Sequence, residues 1–385
     1  MEIASHVVTV ILSRSGMSIK GYPYHPYLGW RARIDDTYRV GGHCPYGESA
    51  RFGYIGTNTQ GLSITPLTFE KPDIKVAITG GSTMFGAGSS TNETTVPSNL
   101  EKMIRERVGI KAEVYNLAVP GYQSFQEMLG LYKFLKTDKV DLVLSISGRN
   151  DASYASKEQD IRSASLLSEV YERTALLNLD GKDNRPLSVA VSFMRAHSST
   201  FDLMYSVWPK VMRRLNDTLM DENDPTTTKA MVNSKDNKVF DNIDKRTQLT
   251  ALHYSMMNTL AKSNGAKYIM MLQPTAFTKK TLTLQEEKCS ETRVWRDVRV
   301  SNRLLKDYEH AFFARFKKVP KSYAFTDLTN IFDHVADTVY VDMCHYNDAG
   351  AFIVAQAVLE RIEPLLRQFK SNLSLNLEGR KNSGL

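Results

Sequence analysis

A chain of 385 residues, 42% hydrophobic and 24% charged, can bury a sizeable core as one large domain or two ordinary ones, and it carries no low-complexity tract. Its formal charge of +7 is dispersed in pairs such as Arg213-Arg214, Lys279-Lys280 and Lys317-Lys318. Without a zinc-finger spacing or a basic helix this gives no footing for nucleic acid, while the excess positive charge suits an anionic partner such as an acidic polysaccharide or a lipid headgroup. Three cysteines, Cys44, Cys289 and Cys344, are too few for a disulfide framework, although one bridge such as Cys44 to Cys289 stays open.

The first apolar run, Val7 to Leu12, is short and follows Glu2 rather than Lys or Arg, which makes a poor signal peptide. It reads as the remainder of a trimmed anchor or as a short helix packing on the body. No stretch approaches 18 apolar residues, so nothing in the sequence is expected to span a membrane. Residues 1–70 are expected to form an N-terminal extension of short strands and loops. Tyr22, Tyr24, Tyr27, Trp30, Tyr38, Tyr46 and Tyr54 alternate there with turn residues. Those aromatics serve either as packing onto the main domain or as a wall for a sugar ring, and packing is the better reading because aromatics are first of all large core payload.

From residue 73 the pattern becomes strand–helix alternation. Strands are predicted at Ile74–Thr79, Ala112–Leu117, Asp141–Ser147, Lys267–Leu272 and Tyr323–Asp327. Helices are predicted near Val96–Val108, Ser124–Leu135, Lys245–Ser263, Asn302–Phe316 and Asp348–Phe369. Apolar strands joined by helices imply a parallel sheet covered on both faces. The main domain is placed at 71–370, with a C-terminal tail at 371–385. About ninety residues at 152–242 interrupt the series, with helical stretches at Ser165–Leu177 and Phe201–Leu215 and a polar patch at Asp221–Lys238. A segment so long is an insertion rather than a connection, serving as a lid or as added bulk. A second loop, Pro274 to Arg293, follows the fourth strand.

Four short segments carry chemistry, each just past a predicted strand or before the last helix. Ser82 sits on the turn Gly80-Gly81-Ser82-Thr83, where the glycines permit a tight strand-to-helix bend. Asp342 and His345 form an Asp-x-x-His pair whose carboxylate can reach the imidazole N–H, leaving the other ring nitrogen to take a serine proton. Gly121, in the turn Pro120-Gly121, offers a backbone N–H. Asn150, in Gly148-Arg149-Asn150-Asp151, offers a side-chain amide. With the Ser82 N–H these make three candidate oxyanion donors. Taken one at a time, Ser82 is a helix-cap serine, His345 a packing histidine, Gly121 a turn glycine and Asn150 a loop residue. Asp342 and Asp348 can also simply charge the start of the last helix. Asp151 is expected to cap the segment that follows it, and Cys344 to be a small buried filler. No Gly-x-Ser-x-Gly elbow, phosphate-loop spacing, His-Glu-x-x-His or Cys-x-x-Cys occurs, so neither an α/β-hydrolase, a phosphate loop nor a metal is expected.

At these residues the chain resembles the SGNH (GDSL-like) hydrolase family. The segments ITGGSTMFGAG, NLAVPGYQS, SGRND and DMCH are similar to its four blocks in order, over residues 73–151 and 243–370. The resemblance implies a flavodoxin-like three-layer α/β/α sandwich with a five-stranded parallel sheet. It implies ester or acyl-transfer chemistry without a cofactor, Ser82, His345 and Asp342 as triad, and Ser82, Gly121 and Asn150 as oxyanion hole. Gly81 departs from the family's Gly-Asp-Ser, which leaves the triad intact but puts the rigidity of the loop in question. HPYLGW resembles the leader of bacterial members with an N-terminal anchor, which favours an extracytoplasmic place. The expected activity is a serine esterase removing an acyl group, such as acetyl, from a carbohydrate or small ester. The alternatives are transfer of that acyl group to a glycan hydroxyl, and glycan binding without catalysis.

Overall fold

In a computed structural model the described residues are 24–25, 29–41, 52–155, 243–291 and 302–382. The chain divides into two compact units. The first comprises residues 1–33 and 158–241, of which the described part holds a minimal antiparallel pair, β1 (Tyr24–His25) and β2 (Gly29–Trp30). The second comprises 34–157 and 242–385 and contains everything that follows. The helical stretches expected at 165–177 and 201–215 lie outside the described residues.

The second unit opens with an antiparallel hairpin, β3 (Thr37–Gly41) and β4 (Phe52–Gly56). Its centre is a five-stranded parallel sheet built from β5 (Ile74–Gly80), β6 (Ala112–Asn116), β7 (Leu142–Ser147), β8 (Lys267–Leu272) and β9 (Ala324–Asp327), in the order β6-β5-β7-β8-β9. β7 is buried at every position and β5 nearly so, as strands covered on both faces must be. The helices are α1 (Ser82–Phe85), α2 (Val96–Met103, continued by a π turn to Val108), α3 (Ser124–Leu135), α4 (Arg149–Ala155), α5 (Ile243–Ser263), α6 (Leu284–Glu291), α7 (Asn302–Lys318) and α8 (Asp348–Asn382). The chain steps one way from β5 to β6 and the other way from β6 through β7 to β9. With right-handed crossovers, that reversal puts helices on opposite faces. In agreement, α2 packs with α8, whereas α5 packs with α3 and α7.

The reversal point lies between β5 and β7, so the crevice opens at the carboxyl ends of these two strands. This is the expected three-layer α/β/α architecture. Two boundaries differ from expectation. α8 runs on past Phe369 to Asn382, so most of the segment expected as a tail is helical. The loop expected at 274–293 contains α6, a helix whose weak apolar periodicity hides it from a pattern search. Cys289, in α6, is disulfide-bonded and Cys344 is a free thiol, while Cys44 lies outside the described residues. Among the described residues no helix is long and apolar enough to cross a membrane.

Candidate active site

β5 ends at Gly80, and the chain turns at Gly81 into α1, whose first residue is Ser82. Gly81 is extended, with φ −94 and ψ −150, so left-handed freedom does not explain the glycine. Space does: a Cβ there would stand 2.5 Å from Nδ2 of Asn150. The Asn150 amide therefore lies directly over the turn carrying Ser82. Its Nδ2 donates 2.8 Å to the carbonyl of Tyr122, next to Gly121. One amide hydrogen pins the side chain and the second remains for a ligand. Gly121 has φ +81, a left-handed turn that suits glycine. Neither the Ser82 nor the Gly121 N–H meets a backbone acceptor among the described residues. The three expected donors thus converge on one crevice, with Asn150 bridging the two turns.

The structure also brings Ser82, His345 and Asp342 together. Ser82 Oγ lies 2.6 Å from His345 Nε2, and His345 Nδ1 lies 2.7 Å from Asp342 Oδ2. The other Asp342 oxygen accepts the backbone N–H of Cys344 and of His345, each at 2.9 Å. A fully buried carboxylate with this many donors has one orientation, and it fixes the ring so that Nδ1–H faces it and Nε2 faces the serine. Burial disfavours the imidazolium, but Asp342 and the neighbouring Cys344 outweigh it, and the His345 pKa stands well above the ordinary histidine value. A proton on His345 is therefore held strongly. Cys344 is half-buried rather than a buried filler, with Sγ 3.8 Å from His345 Nδ1. Asp342, Cys344 and His345 bring three ligand-type atoms within 4.8 Å of one another, but the Asp342–His345 hydrogen bond already uses the atoms a metal would need.

The turn carrying the pair is braced from three sides. Tyr340 and Tyr346 pair across it, and the Val341 N–H donates 2.9 Å to the His345 carbonyl. The N–H groups of Val339 and Tyr340 donate to Oε1 of buried Glu286 at 2.9 and 3.1 Å. The loop after Ser82 closes against it at Gly88, where a Cβ would come 2.2 Å from the Tyr346 carbonyl oxygen. Asp348 opens α8 and accepts the N–H and hydroxyl of Ser90 at 2.8 and 2.6 Å, tying that loop to the helix.

Asp151 does not cap the segment that follows it, as the sequence led one to expect. Its carboxylate accepts the Ser124 hydroxyl at 2.6 Å and the Ser124 N–H at 3.2 Å, and so serves the start of α3. Sequence adjacency pointed forward, whereas the fold sets the start of α4 against the start of α3. Arg149 was passed over in the sequence, because a residue between Gly148 and Asn150 carries no motif value. Its buried guanidinium lies 2.9 Å from Glu309, donates to Met343 Sδ at 3.0 Å and covers the Phe277 ring at 5.6 Å. It links the Asn150 turn to the loop between Asp342 and His345. A buried arginine beside a site residue can be found only once its distant partners Phe277, Glu309 and Met343 are known.

No protein-family model matches the chain, and no curated protein matches it significantly. Solved structures similar to it are GDSL-like lipases and acetylxylan esterases. A GDSL-like lipase from Bacteroides thetaiotaomicron is 11% identical, with 76% of this chain and 89% of that one covered and a TM-score of 0.33. An acetylxylan esterase from Geobacillus stearothermophilus, in a catalytic mutant form, is 12% identical over 75% of this chain and 94% of its own, with a TM-score of 0.35. Another acetyl xylan esterase is 10% identical, with 75% and 100% covered and a TM-score of 0.35. Likeness this loose carries no argument about activity, which rests on the geometry.

Proposed function

We propose that the chain is a serine esterase of the SGNH (GDSL-like) type, cleaving an acyl ester, with acetyl as the leading candidate, of a carbohydrate or small molecule. The observation that carries this is the unbroken Ser82–His345–Asp342 relay at 2.6 and 2.7 Å. In this reading Ser82 Oγ attacks the acyl carbon as its proton passes to His345 Nε2. The Ser82 and Gly121 N–H groups and the Asn150 amide receive the charge on the carbonyl oxygen. His345 then returns the proton to the leaving alcohol, and water repeats the sequence on the acyl-enzyme. No cofactor or metal enters these steps. The disulfide at Cys289 suits an oxidising compartment and supports an extracytoplasmic place.

A fluorophosphonate probe tests the reading: it labels Ser82 alone in the wild-type chain and nothing in Ser82→Ala. An unlabelled Ser82, with sugar binding that is indifferent to Ser82→Ala, favours a glycan-binding protein instead. Free acid as the product with an acyl donor and glycan acceptors present supports hydrolysis, and an acylated glycan supports transfer.

A further inference from the structure

A groove of about 690 Å³ runs along one face of α7. Lys306, His310, Phe313, Ala314, Lys317 and Lys318 form this wall and recur at the spacing of a single helical face. From Lys306 to Lys318 the stripe covers roughly 18 Å at about 1.5 Å per residue. The segment Phe277–Lys280 makes the opposite wall and Thr329 contributes as well. Five lysines and one histidine line the groove, and no Asp or Glu does.

Three of those lysines have carboxylates behind them. Lys279 meets Glu286 at 2.8 Å, Lys280 meets Asp333 at 2.9 Å and Lys317 meets Asp327 at 2.6 Å. Buried Lys279, which also donates to the Asp337 carbonyl, is structural. Lys306 and Lys318, at the two ends of the stripe, are exposed and have no carboxylate partner among the described residues. Cations repeated over that length suit a linear chain bearing regularly spaced anions better than one isolated phosphate.

The groove borders the site already described. β8 lies two strands from β5, about 10 Å at the usual spacing of about 4.8 Å. Phe277 packs under Arg149, and the Ala276 N–H donates 3.0 Å to the Met343 carbonyl, inside the Asp342–His345 turn. A ligand lying in the groove is therefore one loop away from the crevice over Ser82.

We infer that the α7 groove binds an anionic polysaccharide, a chain with repeated carboxylates such as a uronic-acid polymer, and so presents such a chain to the site at Ser82. The binding stands on the groove alone. The assignment of that polymer as substrate rests on the esterase reading.

The test uses the full chain carrying Ser82→Ala, titrated calorimetrically with a galacturonate hexamer, a neutral xylose hexamer and a thymidylate hexamer. The galacturonate hexamer is expected to bind, more weakly as sodium chloride rises, with the other two much weaker. Adding K306Q and K318Q should lower that affinity about tenfold. In the active chain the same two changes should raise KM for acetylated polygalacturonate about tenfold and leave kcat/KM for 4-nitrophenyl acetate unchanged. Absence of binding, equal binding of the xylose or thymidylate hexamer, or an unchanged affinity in the double variant overturns the groove. Turnover of 4-nitrophenyl acetate that does not depend on Ser82 overturns the esterase reading, and the titration still decides the groove.

Discussion

Arg149 Nε lies 2.9 Å from Glu309 Oε2, with both side chains buried. The N–H is not aimed at the oxygen, so charge rather than an aligned hydrogen bond holds the pair. Thr275 donates 2.5 Å to the other Glu309 oxygen, and burial raises the Glu309 pKa against the opposing pull of Arg149. Removing Arg149 leaves a buried carboxyl without its counter-charge. R149M should cost about 3–5 kcal/mol of stability in a denaturant titration. R149M combined with E309L should recover most of that stability. If Arg149 positions Asn150 and the Asp342–His345 loop, the double variant stays low in kcat although it is stable; recovery of kcat would make the pair purely structural.

Asn150 and Gly81 define one contact from two sides. N150A should lower kcat for an activated acetyl ester by about 10²–10³ with KM changed far less, as expected for a donor used mainly in the transition state. G81A should act in the same direction, because its Cβ would stand 2.5 Å from the Asn150 amide nitrogen and displace it. A G81A enzyme with wild-type kcat would show that the amide can move without consequence. Glycine at position 81 thus has a steric reason in this chain.

The pH profile follows from His345. The base works only when neutral, and Asp342 holds its pKa well above the ordinary value. Activity in kcat/KM should therefore rise with pH along a limb lying above about pH 6.5, the ordinary histidine value. D342N removes the charge that raises it and should move that limb downward while lowering the plateau. A limb centred below the ordinary value in the wild-type chain would contradict this electrostatic account.

Glu127 supplies a prediction about stability alone. Burial pushes its pKa up to about 8, despite hydrogen bonds from Ser147 at 2.5 Å and Thr79 at 3.0 Å. The folded state then holds a proton that the unfolded chain has released from about pH 4.5 upward. Its contribution to stability is full below that pH and is lost as pH rises to about 8, at close to 1.4 kcal/mol per pH unit. E127Q should flatten this slope, and its advantage over wild type should grow between pH 5 and about 8. Identical slopes in pH-dependent urea melts would show that Glu127 is ionised in the folded chain.

The sheet was legible because its strands are apolar runs of ordinary length and its helices carry helical periodicity. β8 and α3 fall at the expected bounds. The candidate site was legible to the extent that it sits on short segments with unusual residue types: a double glycine before Ser82, a Pro-Gly turn, Asp-x-x-His. What escaped was long-range. Nothing local reports that Asp151 serves Ser124 on the preceding helix. Nothing local reports that Arg149 reaches Glu309 or that Glu286 holds the segment leading into Asp342. The lysine stripe of α7 reads in sequence as a solvated helix face, and becomes a groove only when Phe277–Lys280 is set opposite it.

The most direct measurement is steady-state hydrolysis of 4-nitrophenyl acetate by the wild-type chain and by Ser82→Ala, with both melting temperatures recorded. The account predicts equal melting temperatures within a few degrees and loss of at least about 10³-fold in kcat for Ser82→Ala. Undiminished turnover by a folded Ser82→Ala protein would contradict it.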